Sequence, residues 1–215
     1  MPRISVLFCT KSYGFNIAFL ALLIVGGVLS LNILEKQSEL VPEMSTGQGE
    51  ETETALTTMY RNRDAYERAF SQATEASSEK VSAEAMITSH HFLAAPFIAR
   101  SYAAVADDSI RRIILVSPDH YQLDFQGSTL AITTDSSWDG LFRDVSPDKQ
   151  RIDQLLEKYP EIRNMRTPFL REHGIYTEIP FIAHYFPDAQ IVPLILKNTY
   201  DYADFAALGR ALAAS

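Results

Sequence analysis

Apolar positions fall into three regimes along the 215 residues of the chain. Between residues 12 and 34 nothing is charged, and residues 17–31 are almost wholly aliphatic. Roughly 20 apolar residues at about 1.5 Å rise match a hydrocarbon core of about 30 Å, so this run predicts a transmembrane anchor. It exceeds the usual h-region of about 7–15 residues and no A-x-A site follows it, which argues against a cleaved signal peptide. Residues 35–54 carry Glu35, Glu39, Glu43, Glu50, Glu51 and Glu53 among Pro42, Gly47 and Gly49. With few large apolar residues, that stretch reads as a solvated acidic linker.

From residue 55 the pattern becomes that of a globular domain, expected to run to residue 215. Leu56, Met59, Tyr60, Tyr66, Ala69, Phe70 and Ala73 recur at helical spacing, opposite Arg61, Arg63, Asp64, Glu67 and Arg68. This predicts a leading amphipathic helix over 55–76. Short apolar runs then predict strands at 85–89, 112–117, 128–134 and 190–196, with Pro118 stopping the second. Helices are predicted at 94–106, 147–159, 174–186 (interrupted by Pro180) and 203–214, with Ser146 as N-cap and Pro147 at N1 of the second. Alternating strands and helices with near-continuous apolar strands define an α/β fold, a mostly parallel sheet flanked by helices.

Charge narrows the partners. The formal net charge is -8, with no cluster of Lys and Arg interleaved with aromatics, so nucleic acid is excluded as a partner. Cys9 is the single cysteine and precedes the apolar run, so the domain has no internal disulfide and no Cys-based zinc site. Arg3 and Lys11 lie before that run, in a short tail of residues 1–11, and Glu35, Lys36 and Glu39 lie after it. The positive-inside rule then predicts a single-pass membrane protein with a cytoplasmic N-terminus and an extracytoplasmic body.

The histidines carry the candidate chemistry. Ligands of open α/β sheets gather beyond the carboxyl ends of the strands. His90 and His91 follow the 85–89 strand, and His120 follows the 112–117 strand in Ser117-Pro118-Asp119-His120-Tyr121. Neighbouring strands lie about 5 Å apart, so such side chains can converge on one ion. Imidazole is a common metal ligand whose second nitrogen needs an oriented partner, which Asp119 or Asp124 could supply. His173, in Arg171-Glu172-His173-Gly174 at a predicted helix start, suits a general acid or base, with Glu172 orienting it or ligating. The plainer reading of each is a hydrogen-bonded loop histidine, and of Glu172 a helix-capping acid. His184 stands in no motif and reads as structural.

These same residues carry a family likeness. Residues 87–94, Ile-Thr-Ser-His-His-Phe-Leu-Ala, resemble the first motif of Memo-like proteins, the system protein B members of AmmeMemoRadiSam. That motif reads P-H-A-G-Y or P-H-H-L-L-A. Leu115-Val116-Ser117-Pro118-Asp119-His120-Tyr121 resembles L-G-P-[ND]-H-[HY], and Glu172-His173-Gly174-Ile175 with Ile179-Pro180-Phe181 resembles E-H-[SG]-I-x-x-x-[LI]-P-[FY]. Residues 191–196 match an I-V-P-I-x-x strand. The resemblance implies a fold shared with class III extradiol ring-cleaving dioxygenases. It implies a divalent or redox-active metal (iron, copper or zinc) on His90 and His120, with His173 and Glu172 as catalytic residues of the cleft. His91 and Asp119 would support the ligands from behind. It also implies a radical-SAM protein and an AMMECR1-domain protein as partners.

Departures accompany the likeness. Ser89 stands where the motif has proline, and residues 138–142 match a W-x-T-P-x-G segment only loosely. The family continues with a strand carrying S-S-D-x-[ST]-H, which implies a domain truncated at its C-terminus. The resulting expectation is a membrane-anchored, metal-dependent oxidoreductase of dioxygenase-like type. The alternatives are a non-catalytic peptide- or protein-binding module using the same cleft, and an inactive truncated fragment.

Overall fold

In the computed structural model the described residues are 4–9, 55–75, 80–121, 123, 125, 127–198 and 202–213. They belong to one of two units into which the chain divides, residues 1–10 with 53–215. The other unit, residues 11–52, lies outside the described residues, and with it the expected span 12–34 and almost all of the acidic linker.

The first strand, β1 (Ile4–Cys9), comes from the stretch expected to be a tail. Next come β2 (Leu56–Thr57), α1 (Arg63–Glu75) and β3 (Ala85–Thr88). A 3-10 turn at Phe92–Ala94 leads into α2 (Ala95–Val105), after which β4 (Arg112–Pro118) runs through the core. Short strands β5 (Ala131–Thr133), β6 (Trp138–Asp139) and β7 (Asp144–Val145) precede α3 (Lys149–Lys158) and β8 (Ile162–Asn164). The described chain finishes with α4 (His173–Tyr176), α5 (Ile179–Tyr185), β9 (Gln190–Leu196) and α6 (Tyr202–Ala213).

The main sheet has the order β3-β1-β4-β9-β5-β8, and β2-β6-β7 form a smaller one. In the main sheet every adjacent pair is parallel except β5 with β9. Strand side chains alternate between faces, so β4 and β9 feed two cores. Ile113, Leu115, Ile191 and Ile195 pack into one with Tyr66 and Phe70 of α1, Ile98 and Tyr102 of α2, and Phe181 of α5. Ile114, Val116, Val192 and Leu194 pack into the other with Ile152 and Leu155 of α3 and Leu208 and Leu212 of α6. Burial on both faces is why these strands read as unbroken apolar runs.

Several boundaries move, each for a local reason. The amphipathic helix starts at Arg63, not residue 55, because Leu56 and Thr57 pair with Trp138 and Asp139, and Asn62 Oδ1 accepts the Ala65 N–H at 3.1 Å. The helix expected from Pro147 starts at Lys149: Pro147 bridges to Ile191, and Asp148 rather than Ser146 is the N-cap, accepting the Arg151 N–H at 2.9 Å. The helix expected over 174–186 is two helices, with Pro180 seated in the first turn of α5, where its missing N–H costs nothing. The β6–β7 hairpin turns through Leu141 at φ 68°, its N–H accepted by Asp139 Oδ1 at 2.9 Å.

The expected membrane localisation is overturned. Among the described residues no helix is long and apolar enough to cross a membrane. A single span over 12–34 would also hold residues 4–9 and the body on opposite sides of about 30 Å of hydrocarbon. Instead β1 pairs with the body along its length, Val6 with Ala85 on one side and Val6 with Ile114 on the other. The N-terminal strand and the domain therefore occupy the same side of any bilayer.

Candidate metal centre at the strand ends

The parallel strands direct their carboxyl ends to one edge of the sheet, and the loops leaving β3 and β4 carry the histidines there. These strands are not neighbours, because β1 separates them. Convergence is achieved by the loops. At the first, Ser89 Oγ accepts the His91 N–H at 3.2 Å. At the second, the buried Asp119 carboxylate accepts the backbone N–H groups of Tyr121 at 2.9 Å and Leu123 at 2.7 Å. Asp119 thus shapes the loop that presents His120 and does not reach the imidazole, contrary to its expected role as an imidazole partner. Asp124 lies outside the described residues.

Four imidazoles meet. Ring centroids lie 4.6 Å apart for His90 and His120, 4.9 Å for His90 and His173, and 4.2 Å for His120 and His173. His91 stands 4.4 Å from His90 on the exposed side. Two groups of potential ligand atoms lie within 4.8 Å of one another, His90–His91–His173 and His120–Glu172–His173. His184 belongs to neither, and stacks on Phe70 at 3.8 Å as a packing residue.

Glu172 is 1% exposed and committed to His120, not to His173. Its Oε1 lies 2.6 Å from His120 Nδ1 and 3.9 Å from His173 Nδ1. The same oxygen accepts the Gly174 N–H at 2.9 Å, capping α4, while Oε2 accepts the His120 N–H at 3.2 Å. Burial pushes this carboxyl up, but the hydrogen bonds from the His120 ring, the Gly174 N–H and the His120 N–H together hold it below its usual range. An ionised carboxylate only accepts, so Nδ1 of His120 carries a proton and Nε2 is the nitrogen turned away from Glu172.

That Nε2 is buried without a hydrogen-bond partner, as are both ring nitrogens of His90, which is 1% exposed. Burial, then the nearby His120, His173 and His91, lower the His90 pKa to about 4, so the ring is neutral at neutral pH. A buried polar atom left unpaired costs about 1–3 kcal/mol. The neutral His90 ring and the unpartnered Nε2 of His120, on rings whose centroids lie 4.6 Å apart, fit a metal ion, which would satisfy one nitrogen of each.

Two contributors went unrecognised in the sequence. Tyr121 OH lies 3.4 Å from His173 Nδ1, with the Arg171 guanidinium 5.1 Å above the Tyr121 ring. Ser117 Oγ lies 3.3 Å from Glu172 Oε1. Ser117 was visible only as the serine standing at a glycine position of the second motif. A glutamine at Glu172 keeps an acceptor for Gly174 but removes the charge behind His120. We expect Glu172→Gln to weaken metal binding about 10–100-fold, read by competition with a chelator at neutral pH. Unchanged affinity would reduce Glu172 to a helix cap.

The family model for Memo-like proteins matches residues 51–214. Over 104 residues the chain is 31% identical to a MEMO1 family protein of Caldivirga maquilingensis, an alignment covering 48% of this chain and 36% of that protein. Over 101 residues it is 29% identical to one of Pyrobaculum aerophilum, covering 46% and 34%. Over 115 residues it is 30% identical to one of Saccharolobus islandicus, covering 52% and 39%. The matched region thus spans between about a third and two-fifths of the length of these curated relatives.

Proposed function

Because the chain belongs to the Memo-like family, we propose that its imidazole cluster holds one transition metal ion and that the domain is a metal-dependent oxidoreductase of dioxygenase-like type. The observation that carries this reading is the set of three buried, unpartnered nitrogens: Nδ1 and Nε2 of His90 and Nε2 of His120. His173 supplies the third ring, and three protein ligands with an open position is the usual composition of a catalytic site. Imidazole donors suit iron, copper and zinc alike, and a bound ion of that kind supplies Lewis-acid or one-electron chemistry.

The protein's own residues have separable tasks. Glu172 fixes the tautomer and the direction of His120 from behind. Asp119 sets the loop that presents the ring. Tyr121, whose hydroxyl reaches His173, is placed to pass a proton at the open side of the cluster. His91, exposed beside His90, meets whatever enters. Kinship of fold with class III extradiol dioxygenases, and work alongside a radical-SAM protein and an AMMECR1-domain protein, belong to this proposal too.

Metal titration of the whole chain tests it. The metal-free protein is titrated in turn with Fe2+, Cu2+ and Zn2+, with the bound ion counted after gel filtration. We expect about one equivalent per chain for at least one of them, the three-imidazole site being of the kind all three enter. No stoichiometric uptake of any would remove the proposal.

A further inference from the structure

We propose that positions 117 and 174 form one steric and hydrogen-bonding unit, in which the Ser117 hydroxyl positions the Glu172 carboxylate behind His120 and Gly174 is glycine to make room for it. This rests on the metal-site reading and extends the support of His120 to a residue in the strand itself.

A Cβ built on Gly174 would lie 2.0 Å from Ser117 Oγ and 2.9 Å from Ser117 Cβ, and 3.1 Å from Glu172 Oε1. The hydroxyl could rotate away, but Ser117 Cβ is fixed by β4, which pairs there with Ile195 of β9. A side chain at 174 therefore excludes one at 117. The two positions also address the same atom. Glu172 Oε1 takes the Gly174 N–H at 2.9 Å, lies 2.6 Å from His120 Nδ1, and has Ser117 Oγ at 3.3 Å.

The single proton of Ser117 has two acceptors in reach, Glu172 Oε1 and the Pro118 carbonyl at 3.0 Å. The ionised carboxylate is the stronger, since charge-assisted hydrogen bonds are roughly twice as strong as neutral ones. Ser117 is 0% exposed, so its hydroxyl does not meet bulk solvent. A serine at 174 facing a glycine at 117 would bring a hydroxyl to the same carboxylate from the helix side, because its Cβ would stand 3.1 Å from Oε1. One hydroxyl is needed, and either position can deliver it, but not both.

The test uses the full chain and Zn2+ as the probe, with the unfolding midpoint of the metal-free protein as a second readout. Ser117→Ala removes only the hydroxyl, and we expect Zn2+ affinity about tenfold weaker, the lower end for an outer-shell partner, with the midpoint lowered only by the worth of one net hydrogen bond. Gly174→Ser alone crowds β4 and lowers both midpoint and affinity, or prevents folding. Combining Ser117→Gly with Gly174→Ser restores the midpoint and brings affinity within about threefold of the parent, well inside the range for outer-shell changes. A Ser117→Ala variant that binds as the parent does, or a double variant no better than Gly174→Ser, overturns the inference. A parent chain that binds no Zn2+, Fe2+ or Cu2+ defeats the metal reading instead. The midpoints of the four metal-free proteins would then still decide whether the two positions exchange.

Discussion

A chain carrying both His90→Ala and His120→Ala will take up no metal at concentrations where the parent binds one equivalent. The two substitutions remove all three of the buried, unpartnered nitrogens noted above and leave His173 as the remaining inward ring. A single imidazole cannot hold an ion against water at micromolar concentration, whereas catalytic sites commonly use three protein ligands. The expected loss is on the order of a thousandfold or more, read by equilibrium dialysis and elemental analysis. His90 makes no hydrogen bond that its loss would break, whereas loss of His120 strips the buried Glu172 of its ring partner. The circular dichroism spectrum of the double variant is therefore compared with the parent's before metal is counted.

The metal-free proteins should also differ in acid. The His90 pKa is lowered to about 4 in the folded chain from 6.5. As pH falls from about 6.5 to about 4, the unfolded chain gains this proton before the folded one does, so stability falls across that window and levels off below it. Without His90 the decline should be shallower. Stoichiometric metal retained by the double variant would place the site elsewhere.

Replacing Glu178 with glutamine should stabilise the protein by several kcal/mol at pH 8.5 while changing it little at pH 4. Glu178 is 0% exposed, just ahead of α5. Burial raises its pKa from 4.5 to about 8, against the lowering effect of a Tyr102 hydrogen bond. Above pH 4.5 the unfolded chain sheds the proton that the folded chain keeps. Stability is therefore full below about 4.5, falls as pH rises toward 8, and is flat beyond. At 1.36 kcal/mol per unit, the loss over that window is roughly 4–5 kcal/mol. Glutamine fills a similar volume and cannot ionise, so urea midpoints should diverge steadily between pH 5 and 8.5. Parallel midpoints across that range would mean the carboxyl ionises in place without cost.

Much of the framework was legible because burial on two faces writes itself as unbroken apolar residues. The 190–196 strand falls where its pattern placed it, and β4 extends one residue through Pro118. The convergence of His90, His120 and His173 was legible from their places at element ends, two beyond strands and one at a helix start, and the family likeness stands over residues 51–214. What escaped depended on long-range pairing. Residues 4–9 are too few, and too close to Arg3 and Lys11, to announce a strand until Ala85 and Ile114 are known to flank Val6. Ser146 and Pro147 look like a cap until Pro147 is drawn into a bridge with Ile191. Glu172 precedes His173 in sequence but serves His120, because one turn of helix aims its carboxylate back at β4.

The insertion of β1 also bears on how the centre comes into being. Residues 4–9 leave the ribosome before any other part of the sheet, yet they must end between two strands made about 80 and 110 residues later. Contacts that far apart close large loops and form slowly. Until that threading is complete, the loops bearing His90 and His120 have no common platform. Competence to capture an ion should thus arrive as one of the last events of maturation, not as a nucleus around which the chain gathers.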